Sequence, residues 1–381
     1  MNNNYFAYLI KQFYLPLVIL AFICIGGMAM YSLRKKYLPT PTEKALPSFG
    51  TTFSDHMFVM EWDEKNKWHN AHIKKYSPLT FDPASLHMHY GQEIFEGMKA
   101  FKTIHGDNVL FRPQDHLQRL NRSANIMCMP EIDPVFVLSW LKKLIALDQK
   151  AIPAQQGAAL YIRPTMIATE PTINLKPSSR YLFFIILSPV GFFYKEGFNP
   201  IPVLVSDQYT RTSIGGVGEA KTGGNYAAAM RAQEEAKKEK CSQVLWLDPV
   251  KRFYVEEVGS MNIFFVFENE IVTPKLTGTI LPGITRKSVL ELGSSLGFTM
   301  VERSISISQV TEGILSGKIQ EIFGTGTAVV ISPIGSLKYK GTVYNVGNQK
   351  TGPVTQKIYD RLRNIQYGKE SNNFGWLESI N

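Results

Sequence analysis

Apolar and polar positions change rhythm several times along the chain. Residues 13–33, FYLPLVILAFICIGGMAMYSL, carry no charge over about the length that spans a bilayer core. LPTPTEKALPS at 38–48 is Pro-rich and reads as a linker. From 56 to 112, short β-type runs (HMFVMEW, FEGMKAFKTI, NVLF) alternate with turns such as HGDN. DHLQRLNRSANIMCM, 115–129, then repeats its apolar residues at helical spacing, and Pro134 opens a second helix through VFVLSWLKKLIALDQ. Two β-rich runs follow, AALYIRPTMIA at 158–168 and RYLFFIILSPVG at 180–191. Strands and helices mix here without regular βαβ alternation, so this unit reads as α+β.

GFFYKEGFNP at 191–200 is turn-rich and marks a junction. Beyond it the pattern predicts strands at IPVLVSD, QVLWL, FYVEEV, NIFFVF, EIVTP, MVERSISI, EIFGTGTAVVISPI and SLKYK. It predicts helices at 224–239, about 283–297, about 307–317 and 350–366. Short strands joined mostly by turns suit an antiparallel sheet or barrel better than a doubly wound sheet. The expected division is a hydrophobic segment 1–42, a small domain 43–190, an interdomain loop 191–201 and a large domain 202–381.

Composition narrows the class. Hydrophobic residues at 44 % and charged residues at 19 % describe a globular enzyme better than a disordered chain. Of the net charge of +9, residues 1–42 hold +4 in Lys11, Arg34, Lys35 and Lys36. The body keeps +5 with no further basic run, which is weak evidence for nucleic-acid binding and suits small anionic ligands at least as well. Cys24, Cys128 and Cys241 are far apart in sequence, so neither a metal site nor a disulfide framework is expected. Arg34-Lys35-Lys36 after the uncharged run predicts a membrane anchor with the body in the cytosol. A signal peptide, a mitochondrial presequence and a start at Met28 or Met30 compete with that reading.

GGVGEAKTGGNY at 215–226 nearly spells a phosphate-binding loop, with Ala220 where a second glycine is wanted. No strand runs directly into it, and alanine resists the backbone conformation that glycine takes freely there. The alternative is that the Lys221 amine is itself the reagent, forming a Schiff base with an aldehyde cofactor. Pyridoxal phosphate chemistry would also need a carboxylate for the pyridine nitrogen. VEEVGSMNIFF offers Glu256 and Glu257 at a strand end, and alternation should send one inward and the other to solvent. ILPGITRKSVL opens a helix at Gly283-Ile284-Thr285, a natural anion site. GTGTA at 324–328 adds a second small-residue loop, and Arg119 and Arg122 supply cations from a helix.

These stretches, with LHMHYGQEIFEGMKAF, RPQDHLQRLNRSA, LYIRP and QVLWLD, stand in an order that resembles the branched-chain amino-acid aminotransferases, class IV pyridoxal-phosphate enzymes. The resemblance spans roughly residues 50–367. It implies a small N-terminal α/β domain, a C-terminal pseudo-barrel and a homodimer. It also implies exchange of amino groups between leucine, isoleucine or valine and 2-oxoglutarate. Carried over, Lys221 is the Schiff-base lysine and acid-base, Glu257 pairs with the pyridine nitrogen and Tyr226 with the ring hydroxyl. Arg119, Leu281, Gly283, Ile284, Thr285 and Thr327 are the remaining cofactor contacts. Tyr90, Phe95, Tyr161, Arg163, Leu175, Phe193, Ser260 and Ala328 are the substrate contacts, with Tyr90 and Leu175 presented to the partner's site.

Departures from the family pattern are few. Phe193 stands where animal enzymes have a pocket tyrosine, and Val329 and Ser332 replace their redox cysteine pair. The hydrophobic N-terminus is outside the pattern altogether. A D-amino-acid transaminase, an aminodeoxychorismate lyase or an inactive membrane-anchored scaffold are the rival readings.

Overall fold

The computed structural model describes residues 49–191 and 198–380; the predicted hydrophobic segment 13–33 and Phe193 lie outside these described residues. Two sheets organise the body. The first contains β1 (His56–Asp63), β2 (Lys67–Lys75), β3 (Glu93–Phe95), β4 (Met98–Lys102), β5 (Asn108–Phe111), β6 (Ala159–Ala168) and β7 (Arg180–Val190). The second contains β8 (Ile201–Ser206), β9 (Gln243–Leu247), β10 (Val255–Val258), β11 (Met261–Phe267), β12 (Ile271–Thr273), β13 (Met300–Glu302), β14 (Ile319–Gly326), β15 (Val330–Tyr339) and β16 (Thr342–Asn345). A last strand, β17 (Leu377–Ser379), returns to the first sheet.

The helices are α1 (Leu86–Tyr90), α2 (Pro113–Ile126), α3 (Pro134–Leu147), α4 (Gly223–Lys238), α5 (Ile284–Ser295), α6 (Ile307–Leu315) and α7 (Pro353–Gln366). Their starts are written in the sequence. Pro113, Pro134 and Pro353 stand in first turns, where a missing N–H costs nothing. The Asp133 carboxylate accepts from Val135 N and Phe136 N at the start of α3.

The first sheet runs β17-β5-β4-β6-β7-β1-β2, with β3 also on β6, and every pairing in it is antiparallel. One face packs on α2 and α3 through Phe58, Met98, Leu117, Leu141, Ile162 and Phe183. The second sheet runs β10-β9-β8-β15-β14-β11-β12-β13, and β10 also pairs with β11, so six strands close on themselves. This is the predicted barrel, with three parallel contacts (β8–β9, β8–β15, β12–β13) among antiparallel ones. Val203, Leu245, Val258, Ile263 and Phe265 belong to its core. A third apolar cluster joins Phe101 and Phe111 of the first sheet to Phe264 and Phe323 of the second and to Ile358 and Leu362 of α7.

Two predicted strands are shorter than their patterns. MVERSISI is extended only to Glu302, because Ser306 and Gln309 form a reciprocal capping box that starts α6. EIFGTGTAVVISPI breaks at 327–329 into a hairpin of β14 and β15. KWHNAHIKK, β2, was not predicted: its apolar residues do not alternate cleanly and its outer edge is open. No helix among the described residues is long and apolar enough to cross a membrane.

Candidate active site

The predicted loop lysine lies where β3 meets the start of α4. Phe95 N donates to the Lys221 carbonyl at 2.9 Å, and Lys221 N donates to Ser123 Oγ of α2 at 2.9 Å. The backbone is therefore gripped from both sides, which leaves Nζ to point into the cleft. There Nζ donates to Tyr226 Oη at 2.8 Å, one turn into α4. The glycines serve close packing. A Cβ on Gly218 would meet the Thr279 backbone at 2.7 Å, and one on Gly223 would meet Glu93 Oε1 at 2.0 Å.

β10 and β11 form a tight hairpin, Val258 opposite Met261, with Gly259 at φ 58°. It sets Glu257 opposite Asn262, whose Nδ2 donates to Glu257 Oε1 at 3.0 Å and to the Leu281 carbonyl at 2.9 Å. Glu257 Oε2 lies 2.9 Å from Arg211 Nε. The same guanidinium donates to the Gly218 and Thr279 carbonyls at 3.2 and 2.8 Å. Burial pushes the Glu257 carboxyl up to about 7, against the pull of Arg211. Glu256 corrects an expectation. It does not go to solvent; it is buried on the opposite face, where it accepts from the Thr279 hydroxyl.

At the other end of the cleft, α5 begins at Ile284 with Gly283 as its N-cap. A Cβ on Gly283 would meet Asn262 Oδ1 at 2.0 Å, so any larger residue would displace the amide that bonds Glu257. The free amides of the first turn make this an anion-favouring corner. Arg119 enters from α2. Its Nε and Nη2 bind Glu96 at 2.6 and 2.9 Å, and Nη1 donates to the Pro282 carbonyl at 3.2 Å. His116 Nδ1 completes the group at 2.9 Å from Glu96 Oε2. Burial opposes ionisation of Glu96, but Arg119 and His116 outweigh it and hold the carboxyl well below the usual range. Burial lowers the imidazole of His116, against the pull of Glu96.

The wall facing Lys221 is aromatic and cationic. Tyr161 and Arg163 stand two residues apart on β6, on one face. Arg163 Nη2 donates to Tyr161 Oη at 3.1 Å, and the guanidinium lies 4.7 and 5.3 Å from the Phe95 and Tyr161 ring centres. Its Nε is buried with no hydrogen-bond partner. The Thr325 hydroxyl on β14 is orphaned in the same way.

One cleft thus gathers Phe95, Arg119, Tyr161, Arg163, Lys221, Tyr226, Glu257, Ser260, Leu281, Gly283, Ile284, Thr285, Thr327 and Ala328 from among the residues predicted by sequence. Tyr90 and Leu175 are not on it. Both are exposed, and Tyr90 Oη donates to the Ile173 carbonyl at 2.5 Å. Sequence reasoning missed Glu96, His116, Arg211 and Asn262. The only signal for the first two was their place beside predicted residues, Phe95 before Glu96 and Arg119 one turn after His116.

Comparison with known proteins converges on one family. The family model for class IV amino-transferases matches residues 93–337. Branched-chain-amino-acid aminotransferase 2 of Bacillus subtilis (strain 168) is 46 % identical over 346 residues, 91 % of this chain and 94 % of that protein. Branched-chain-amino-acid transaminase 1 of the same organism is 47 % identical over 342 residues, 89 % and 96 %. Among solved structures, the branched-chain aminotransferase of Thermoproteus uzoniensis with norvaline superposes with a TM-score of 0.72 at 26 % identity, covering 86 % of this chain and 100 % of that one.

Proposed function

The chain belongs to the class IV aminotransferases, and we propose on that premise that its cleft exchanges amino groups between branched-chain L-amino acids and 2-oxoglutarate. The enzyme is a branched-chain amino-acid transaminase that works with pyridoxal 5′-phosphate. When bound, that cofactor supplies an aldehyde carbon for the amino group and a ring that takes up the electrons released at Cα.

The residues present fit such a group. Three cations, Lys221, Arg119 and Arg163, and a helix N-terminus line the cleft, so it is built for an anionic cofactor and carboxylate substrates. The orphaned Thr325 hydroxyl and Arg163 Nε await polar partners. The amides of Ile284 and Thr285 with Thr327 would hold the cofactor's phosphate, and Arg119, lining the same cleft, would add charge beside them. Glu257 is placed to hold a positive charge on a ring nitrogen. Tyr226 keeps Lys221 Nζ directed, and the Lys221 amine would hold the cofactor's aldehyde carbon and move the proton at Cα. Phe95 and Tyr161 offer apolar walls to a branched side chain. Arg163 and the Tyr161 hydroxyl can meet the distal carboxylate of glutamate.

The observation that carries this reading is the 2.8 Å contact of Lys221 Nζ with Tyr226 Oη in a cleft that also holds buried Glu257. The test is Lys221→Ala. It should abolish transfer from leucine to 2-oxoglutarate and the borohydride-fixable absorbance of the purified protein. Near-normal turnover in that variant would reject the assignment.

Two further parts of the proposal concern the surroundings. The exposed residues Met88, Tyr90, Ile173 and Leu175 support a homodimer in which this patch meets a second copy. A monomer by light scattering would reject it. The uncharged run 13–33 followed by Arg34-Lys35-Lys36 supports a membrane anchor with a cytosolic body. Carbonate extraction and protease protection test the anchor. Release by carbonate would reject it, and a cleaved tail with a protected body would favour a mitochondrial presequence.

A further inference from the structure

Lys99 is the most unusual charge in the body. It lies on β4 directly opposite Tyr161 of β6 and is 4 % exposed. Among the described residues no carboxylate lies within ion-pair distance of it. Among the described residues its Nζ donates to one group, the Ala328 carbonyl, at 2.7 Å. Burial lowers the amine to about 7, and the nearby Arg363 adds to that. Arg363 is buried too, and among the described residues it meets neutral groups: Gln366 Oε1 at 3.3 Å, the Tyr367 hydroxyl, and the rings of Tyr367 and Phe101.

An uncompensated buried lysine is a cost to the fold. What it touches suggests why it is kept. Ala328 sits in the three-residue turn between Gly326 and Val330, whose residues Thr327, Ala328 and Val329 line the cleft. Val330 closes that turn at φ 66°, a left-handed conformation that a β-branched residue strongly resists. The turn is therefore under strain and is tied down from outside by one lysine.

We propose that Lys99 is a positioning residue: its amino group pins the Ala328 carbonyl and so holds the strained turn 327–329 in place to receive a carboxylate-bearing substrate. The inference rests on the transaminase reading for the identity of the substrate, but not for the tie itself. Lys99 touches neither the predicted cofactor contacts nor Arg163, so it acts through the turn.

The experiment compares the holoenzyme with Lys99→Met, which keeps an unbranched stem as far as Cε and removes the donor. Hydrogen exchange of the amides at 326–330 should accelerate. The Kd for 4-methylvaleric acid, a branched-chain carboxylate without an amino group, should rise about tenfold, the loss of one hydrogen bond from a charged donor. The Tm should hold or rise, because a buried unpaired charge has been removed. Adding Val330→Gly, which accepts a positive φ without strain, should recover part of the lost affinity. Unchanged exchange and Kd would overturn the proposal. So would a fall in Tm with a weakening that Val330→Gly does not relieve, since that pattern is general destabilisation. If the unaltered enzyme fails to turn over leucine with 2-oxoglutarate, the proposed function falls, while the exchange comparison still decides the tie.

Discussion

Two buried glutamates flank the cleft, each with an arginine beside it, and they behave in opposite ways. Glu96 takes two nitrogens of Arg119 and a third contact from His116. Glu257 accepts one neutral amide from Asn262; its Oε2 lies 2.9 Å from Arg211 Nε as an ion pair without an aligned hydrogen bond, and the other Arg211 nitrogens donate to backbone carbonyls. Exposure does not separate them, at 0 % and 3 %. Pairing does. The forked, fully bonded carboxyl stays ionised, whereas the singly paired one is pushed up to about 7. A complete pair is finished structure. A half-complete pair still favours one more positive charge, which is what the role proposed for Glu257 would use.

Removing the charge at each end separates the two roles. Glu257→Gln should lower kcat about a thousandfold, comparable to loss of a major electrostatic contact in a transition state. Glu256→Gln, on the opposite face, should cost less than about tenfold, being one neutral hydrogen bond. Steady-state rates with leucine decide it, and the reverse ranking would mean that Glu256 is the functional acid. Glu96→Gln should instead act on stability, by about 3 kcal/mol, because Arg119 is left buried without its counter-charge. Denaturant midpoints measure that cost, and an unchanged midpoint would show that Pro282 and solvent suffice for Arg119.

A third arginine extends the series to no carboxylate at all. Among the described residues Arg163 has no carboxylate within ion-pair distance, and its partners are the Phe95 and Tyr161 rings and the Tyr161 hydroxyl. Arg163→Met should cost the glutamate half-reaction about 2 kcal/mol, the lower end for truncating one partner of a desolvated charge pair. The leucine half-reaction should be spared. Equal losses in single-turnover measurements would make Arg163 an organiser of the pocket.

The smallest effect is in pH. Glu257 keeps its proton to higher pH folded than unfolded, so its contribution to stability is present at acid pH and is lost as pH rises through about 7. Glu96 is lowered, so its contribution is present above the ordinary carboxyl range and is lost only as pH falls into it. In apoprotein, the Tm of Glu257→Gln relative to the parent should therefore climb between about pH 5 and 8, by on the order of a few degrees. The difference for Glu96→Gln should stay flat over that range. Parallel curves would erase the distinction between the two glutamates.

What the sequence disclosed follows from distance along the chain. Lys221 and Tyr226 are one loop and one helical turn, so composition and spacing place them together. The hairpin of Val258 and Met261 is equally local, and its pattern gave both candidate glutamates. Pairings such as Arg211 with Glu257 or Arg119 with Glu96 depend on tertiary packing, which no local period encodes. Glu256 was misread because alternation predicts which face a strand residue takes, and here a second buried face receives it. β2 was missed because its side chains are mostly half-exposed, which weakens the period-two signal. Family resemblance, not pattern, supplied the distant members of the cleft, such as Tyr161, Ser260 and Ala328.

The strand Leu377–Ser379 has a consequence for the order of events in synthesis. It pairs with Val109–Phe111, more than two hundred residues earlier and on the far side of the whole second sheet in sequence. Until residue 379 has emerged from the ribosome, β5 presents an unpaired edge to its surroundings. The first sheet is begun first and completed last. A nascent chain halted before that point would carry an open strand beside an otherwise formed barrel, and holding that edge apart from other chains is a task for the cell's folding assistants.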